Sequence, residues 1–288
     1  MKSPFNYVGN KYNYMNIINQ LVKNKKYENI YDLFMGTGNI LLNIDVNYTK
    51  KIGVDILPLL PKIYNFIIIN KIDISINDFK NIIKYNNYFS DKMDYYNFRD
   101  NWNKKYFNNE IDKFFIIETI LLFKMCSNSM VRFNNKGEFN QGFRGIAKNK
   151  SQFFEENTIE NIYNKTNDFI NSLYNKNYIF KNDDFKNIEI KENSLLILDP
   201  PYKLMNAVYG INFTKEDDNY LLNLISNTKN DFIYFNYLNK GNNTFEELND
   251  VIKKNNFNII TINNKAINGQ GRNNTANDIN EILVTNIK

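Results

Sequence analysis

Histidine is absent from all 288 residues, and cysteine occurs once, as Cys126. Without an imidazole the chain lacks the commonest general base and most zinc-site designs. A single thiol excludes an internal disulfide framework and fits a reducing, cytoplasmic setting. Cys126 itself reads as a buried structural thiol rather than a nucleophile. Long apolar runs are missing too. Nothing approaches the ~20 residues of a membrane span, and Lys2 is followed by Ser3, Pro4 and Asn6 where a leader would carry its apolar core. A soluble, unprocessed chain with no membrane partner is expected. Neither sign of charge dominates: 36 Lys and Arg against 31 Asp and Glu leave +5. That balance permits a polyanionic partner without requiring one. No internal repeat of fixed period is evident.

Apolar material, in contrast, is ample. Hydrophobic residues make up 43% and aromatics 15% of the chain, enough to offset the entropy of ordering a globular fold. The length leaves room for one large domain with an insertion. Asparagine stands at roughly one residue in five, far above ordinary composition. It rises together with Lys, Ile and Tyr from end to end, which marks an AT-rich coding sequence rather than a local low-complexity tract.

Short apolar runs read as buried parallel strands at Ile30 to Phe34, Lys51 to Val54, Tyr178 to Phe180, Leu195 to Leu198 and Phe232 to Phe235. Helical spacing lies between many of them. Met15, Ile18 and Leu21 share one face, and Tyr220, Leu221, Leu224 and Ile225 share another behind an N-cap at Thr214. This alternation predicts an α/β sheet with helices on both faces. The chain ends in two strand-like segments, Asn258 to Ile262 and Glu281 to Thr285, joined by a stretch containing Gly269, Gly271 and Asn273. That pattern predicts an antiparallel hairpin closing the sheet. Residues 57–177 are mostly helical, with the turn Asn134-Asn135-Lys136-Gly137 between two extended arms. We therefore divide the chain into a sheet domain, 1–56 with 178–288, and an inserted domain, 57–177.

Three sequence elements carry chemistry. Asp32-Leu33-Phe34-Met35-Gly36-Thr37-Gly38 takes a strand straight into a glycine turn that opens a helix, so backbone can approach a ligand closely. Alone, Gly-x-Gly is weak. Asp55 adds to it, because an acid after the second strand, about twenty residues on, is where nucleotide-binding folds accept ribose hydroxyls. The strongest element is Asp199-Pro200-Pro201-Tyr202 directly after a buried strand. Two prolines remove two backbone donors and fix the chain rigidly. A carboxylate, a carbonyl and an aromatic face are thereby presented together at the sheet's carboxyl edge. Asp199 and the Pro200 carbonyl can accept hydrogen bonds from an exocyclic amine while Tyr202 stacks on its ring. Accepting both N–H bonds draws the amine nitrogen toward a nucleophilic geometry.

With these motifs in this order, the sequence resembles the DNA adenine methyltransferases of the Dam type, phage forms included, over nearly its whole length. Pro4-Phe5-Asn6-Tyr7-Val8-Gly9-Asn10-Lys11 is similar to the family's first motif, which implies that Tyr7 and Lys11 lie against cofactor and target. Asp32, Phe34, Gly36 and Gly38 match the cofactor loop and Asp55 the ribose acid. Asp184-Phe185 is similar to the acid-aromatic pair beside the cofactor adenine, and Asp199 to Tyr202 to the catalytic motif, with Asp199 also at the cofactor. Glu281 to Asn286 looks like the last strand. The resemblance implies a Rossmann-like, S-adenosylmethionine-dependent enzyme that methylates adenine N6 in double-stranded DNA on a flipped base. Residues 128–140 resemble the DNA-reading hairpin, with Arg132 at its arginine. Together with Asn134, Lys136, Asn140, Gln141, Phe143 and Arg144 it forms the expected DNA-binding set, and no metal is expected.

The family usually reads Pro-Phe-Gly and then basic residues after this hairpin, whereas this chain has Gly142-Phe143-Arg144-Gly145. The departure falls where specificity is decided and leaves GATC, the site the resemblance would suggest, open. The oligomeric state and the biological role are open as well; protection against a cognate restriction nuclease is one such role. Two rivals stand beside this reading. One is methylation of RNA or of another exocyclic amine, against which arginine contacts in an open major groove argue. The other is a DNA-binding homologue without catalysis, against which the intact Gly36, Asp55, Asp199 and Tyr202 argue.

Overall fold

The computed structural model describes residues 1–6, 9–129, 131–174, 176–201, 213–240, 243–262 and 281–288. Tyr7, Tyr202 and the stretch containing Gly269, Gly271 and Asn273 lie outside the described residues. Nine strands occur among the described residues: β1 Lys26–Asp32, β2 Asn47–Asp55, β3 Tyr178–Asn182, β4 Ser194–Leu198, β5 Asp231–Tyr237, β6 Asn239–Lys240, β7 Asn243–Thr244, β8 Asn258–Ile262 and β9 Glu281–Thr285. The α-helices are α1 Met15–Leu21, α2 Asn39–Asn43, α3 Leu59–Asn70, α4 Ile76–Tyr85, α5 Lys92–Phe107, α6 Lys113–Met125, α7 Glu156–Leu173, α8 Lys215–Asn227 and α9 Glu246–Asn255.

Seven strands form one sheet in the order β3-β2-β1-β4-β5-β9-β8, while β6 and β7 pair separately. Parallel pairing joins β3, β2, β1, β4 and β5, and β9 runs antiparallel to both β5 and β8. The expected α/β architecture with an antiparallel C-terminal pair is what the structure has. β4 and β9 are buried at all five positions, as strands covered on both faces must be. The pleat then sends alternate residues into two cores. Leu195 and Ile197 join Ile30, Ile233 and Phe235 on one face. Leu196 and Leu198 join Tyr31, Val54, Phe232 and Tyr234 on the other.

α8 and α9 cover the second face, supplying Leu221, Ile225, Leu248 and Ile252. α8 opens with a reciprocal cap in which the Thr214 hydroxyl accepts from the Asp217 N–H and the Asp217 carboxylate from the Thr214 N–H. Leu221 and Ile225 are buried, but Tyr220 is 39% exposed on the helix shoulder. The first face carries the remaining helices. Tyr64 on α3 donates to the Thr37 carbonyl at 2.9 Å and Asn65 to the Phe180 carbonyl at 2.8 Å. Phe169 on α7 packs edge-on against Phe5. One continuous core therefore runs from the sheet through 57–177 to Trp102 and Phe139. Cys126 sits fully buried within it. No described helix is long and apolar enough to cross a membrane.

Candidate active site

Strand order reverses between β1 and β4, and such a switch point leaves a crevice at the carboxyl ends of the strands. Asp32 ends β1, and Asp199 follows the last residue of β4. The loop after β1 needs positive φ at Gly36 (+48°) and at Gly38 (+67°), the residue that caps α2. Only glycine adopts this backbone without strain. The loop is held from three sides: Met35 N–H reaches the Val54 carbonyl at 2.9 Å, Tyr64 holds Thr37, and Asp55 accepts from Gly36 N–H at 2.8 Å and from Leu57 N–H at 2.9 Å. β2 packs against the same loop. A Cβ on Gly53 would stand 2.7 Å from the Met35 sulfur.

Three carboxylates line this edge. Asp32 is almost fully buried, and its Oδ1 has no hydrogen-bond partner among the described residues. Burial and then the Asp199 charge push its carboxyl well above the ordinary range; the Phe34 and Leu41 N–H groups oppose that shift, and the Asp55 charge adds to it. Burial likewise raises Asp55 to about 6 against the two N–H groups that lower it. Asp199 is 19% exposed, and its Oδ2 lies 2.9 Å from the Lys11 ammonium. Pro200 is buried and Pro201 half-buried.

Lys11 is itself 6% exposed and donates to the Gly9 carbonyl at 2.8 Å. It also meets Glu281 at 3.3 Å, and Tyr14 donates to the other Glu281 oxygen at 3.1 Å. Burial alone would lower the Lys11 pKa; Asp199 and then Glu281 outweigh it and hold the ammonium above its usual value. Glu281 was not among the expected site residues. The signal lay in the sequence all the same, as a charge opening an otherwise apolar strand.

Beside this edge Phe34 and Phe185 meet at 4.8 Å between centroids, with Phe213 6.1 Å from Phe34. Asp184 accepts from Lys186 N–H at 2.9 Å, and its neighbour Phe185 reaches the loop after β1 through the contact with Phe34. A cleft lined by Gly36, Asp55, Leu57 and Phe123 is also lined by Val131 and Phe133. The first arm of the expected hairpin thus borders the crevice.

The hairpin closes on Gly137 (φ +78°), with Asn134 N–H to the Glu138 carbonyl at 2.9 Å and Asn140 N–H to the Arg132 carbonyl at 3.1 Å. Its expected DNA-binding residues divide into two groups. Asn134 accepts from Lys136 and Glu138 N–H groups and shapes the turn. Gln141 donates to the Ser127 hydroxyl at 2.6 Å, and Phe143 stacks on Tyr95 at 5.1 Å. Arg132, Lys136, Asn140 and Arg144 are exposed.

The acids at this edge fit a cationic, ribose-bearing cofactor. S-adenosylmethionine carries a sulfonium and an ammonium, and the orphaned oxygen of Asp32 lies in a field that such charges would relieve. Asp55 has lone pairs left for ribose hydroxyls after receiving two N–H groups. No described group of His, Cys, Asp and Glu could hold a metal ion.

A doubly wound sheet whose acidic, glycine-turned crevice opens at the switch point is the class of protein these features define. The chain belongs to the family of D12 class N6 adenine-specific DNA methyltransferases, whose profile matches residues 7–268. It is 26% identical to the type II methyltransferase M.FokI of Planomicrobium okeanokoites, over 99% of this chain and 43% of that protein. Identity to the modification methylase StsI of Streptococcus sanguinis is 27%, over 73% of this chain and 30% of the relative. The type II methyltransferase M.MjaIII of Methanocaldococcus jannaschii is 33% identical over 43% of this chain and 40% of its own. The chain spans less than half the length of these curated relatives.

Proposed function

We propose that the chain transfers a methyl group from S-adenosylmethionine to N6 of an adenine turned out of duplex DNA at a defined sequence. The observation that carries this reading is the Asp199 carboxylate, held by Lys11 at the switch point beside the Gly36 to Gly38 loop. Asp32, Asp55 and the Phe34–Phe185 pair are assigned to the cofactor, with Gly36 and Gly38 letting it approach the backbone. When bound, the cofactor supplies an electrophilic methyl group.

The chain's own part is to present the amine. Asp199 and the Pro200 carbonyl accept its two N–H bonds, which localises the nitrogen lone pair toward the incoming carbon. Pro200 and Pro201 hold both acceptors in one geometry, so little reorganisation is needed. Tyr202 is assigned, from sequence, to stack on the extrahelical base, and Tyr7 to the cofactor side. After transfer the nitrogen carries one proton too many, and with no histidine in the chain Asp199 is the side chain assigned to receive it.

Segment 57–177 is assigned to recognition, with Arg132, Lys136, Asn140 and Arg144 toward the DNA. The name of one relative, a modification methylase, supports a modification role; a cognate restriction nuclease and a cytoplasmic setting belong to the same proposal. The test is transfer of labelled methyl to DNA, with mapping of methyladenine. Asp199→Ala should lower turnover strongly with cofactor affinity nearly kept, and Asp55→Ala should weaken cofactor binding by about 1–3 kcal/mol. Reversal of the two effects by calorimetry would refute the assignment.

A further inference from the structure

Glu281 opens β9 and is only 3% exposed, although the four residues that follow it in the strand are buried Ile282, Leu283, Val284 and Thr285. A carboxylate in such a place is destabilising unless it is paired. Its pairing is specific: Lys11 at 3.3 Å on one oxygen and the Tyr14 hydroxyl at 3.1 Å on the other. The Lys11 ammonium has three donors. They face Asp199 at 2.9 Å, Glu281 at 3.3 Å and the Gly9 carbonyl at 2.8 Å. Held by these acceptors among the described residues, the ammonium acts as a fixed counter-charge rather than an acid that turns toward a substrate.

We propose that Glu281 is a positioning residue for methyl transfer: it holds Lys11 and divides its charge, so that Asp199 stays a strong hydrogen-bond acceptor for the substrate amine. The proposal rests on the functional reading above. Without Glu281 more of the positive charge would fall on Asp199, and a carboxylate more fully neutralised by a close ion pair accepts more weakly from a neutral amine. Sheet topology makes the division possible, because β5 alone separates β4 from β9. A strand far away in sequence therefore ends beside the catalytic motif. Other ionisable groups bear on the pair as well. Asp32 at the end of β1 and Tyr234 on β5 both feel the Asp199 charge, and Tyr14 reaches Glu281.

The experiment compares the wild-type chain with Glu281→Gln and Tyr14→Phe in two measurements. In the first, single-turnover methylation is followed against pH at saturating cofactor and DNA. Glu281→Gln should slow transfer at least tenfold and move the acidic limb of the profile to lower pH, with the dissociation constants of S-adenosylmethionine and DNA changed less than twofold. Tyr14→Phe, which takes a competing donor from Glu281 and leaves more of its charge to Lys11, should move both quantities the opposite way by less, and it carries the test if the Gln variant does not fold. The second measurement needs no activity: the Lys11 ammonium is titrated by NMR in the unliganded chain, with Lys11→Met identifying its signal. Its midpoint should fall in Glu281→Gln and rise slightly in Tyr14→Phe. Unchanged rate and profile in the folded variants would overturn the proposal. So would a slower rate with an unmoved profile and an unmoved Lys11 midpoint, since that is what a purely structural role produces. Failure of the wild-type chain to methylate any DNA would refute the functional reading instead, and the Lys11 titration would still decide whether Glu281 governs that charge.

Discussion

A Cβ added to Gly53 would lie 2.7 Å from the sulfur of Met35, so β2 and the loop after β1 touch with no room for a methyl group. Leu41 and Phe180 close the same space at 3.0 Å. Gly53→Ala should therefore lower stability by about 1–3 kcal/mol through overpacking. Because Met35 belongs to the loop that carries Gly36, cofactor affinity should fall as well. Denaturant melts and calorimetry of this variant check both; unchanged values in both would show that the loop yields freely.

In its proposed role Asp55 should make cofactor affinity depend on pH. Its carboxyl is raised to about 6 by burial, and only the ionised form can accept from two backbone N–H groups and from ribose hydroxyls together. Affinity for S-adenosylmethionine should thus be level above pH 7 and fall below about pH 6, approaching tenfold per pH unit. Asp55→Asn should show a lower affinity with this limb removed. Binding isotherms between pH 5 and 8, at constant ionic strength, measure it.

Lys51 is a buried cation away from the switch point. Its ammonium donates to the Ile44 carbonyl at 3.2 Å and lies 4.5 Å from the Tyr48 ring centroid. Burial, and then Lys176, depress its pKa from 10.5 to about 7. Between those two values the unfolded chain binds the proton more tightly than the folded one. Stability from this group therefore rises with pH from about 7 to 10.5, and the penalty is fully present below 7. The span amounts to at most about 5 kcal/mol. Lys51→Met should raise the unfolding free energy at pH 7 and flatten its slope relative to wild type. Urea denaturation from pH 7 to 10 tests it, and parallel slopes would count against the assignment.

Arg132 is exposed on the arm whose neighbours Val131 and Phe133 line the cleft with Gly36 and Asp55. Arg132→Ala should cost about 1–3 kcal/mol of discrimination at one base pair of the mapped site, since a bidentate arginine reads guanine O6 and N7. Phosphate contact would instead weaken all sequences alike and reduce the salt dependence of binding. Methylation rates on every single-base variant of the site separate the two roles.

The sequence by itself determined the strands of the parallel sheet, the Thr214 cap and the turn at Gly137, because these follow from local patterns: apolar runs, a hydroxyl three residues before an acid, and asparagines before glycine. The strand read as Ile30 to Phe34 ends at Asp32, since Leu33 and Phe34 already enter the loop that Gly36 turns. The motifs also determined the family, their order along the chain being a one-dimensional property. Tertiary structure alone decided what those motifs meet. Lys11, Asp199 and Glu281 are separated by 188 and 82 residues along the chain, and the order β4-β5-β9 brings the two carboxylates close enough for the Lys11 ammonium to meet them at 2.9 and 3.3 Å. It also decided which hairpin residues face outward, for Gln141 and Phe143 are spoken for by Ser127 and Tyr95 while Arg132 and Asn140 are not buried. The physical reason is the same in both cases. Periodicity reports which face of an element is buried, whereas pairing between charges depends on the sheet order that burial of all the elements together selects.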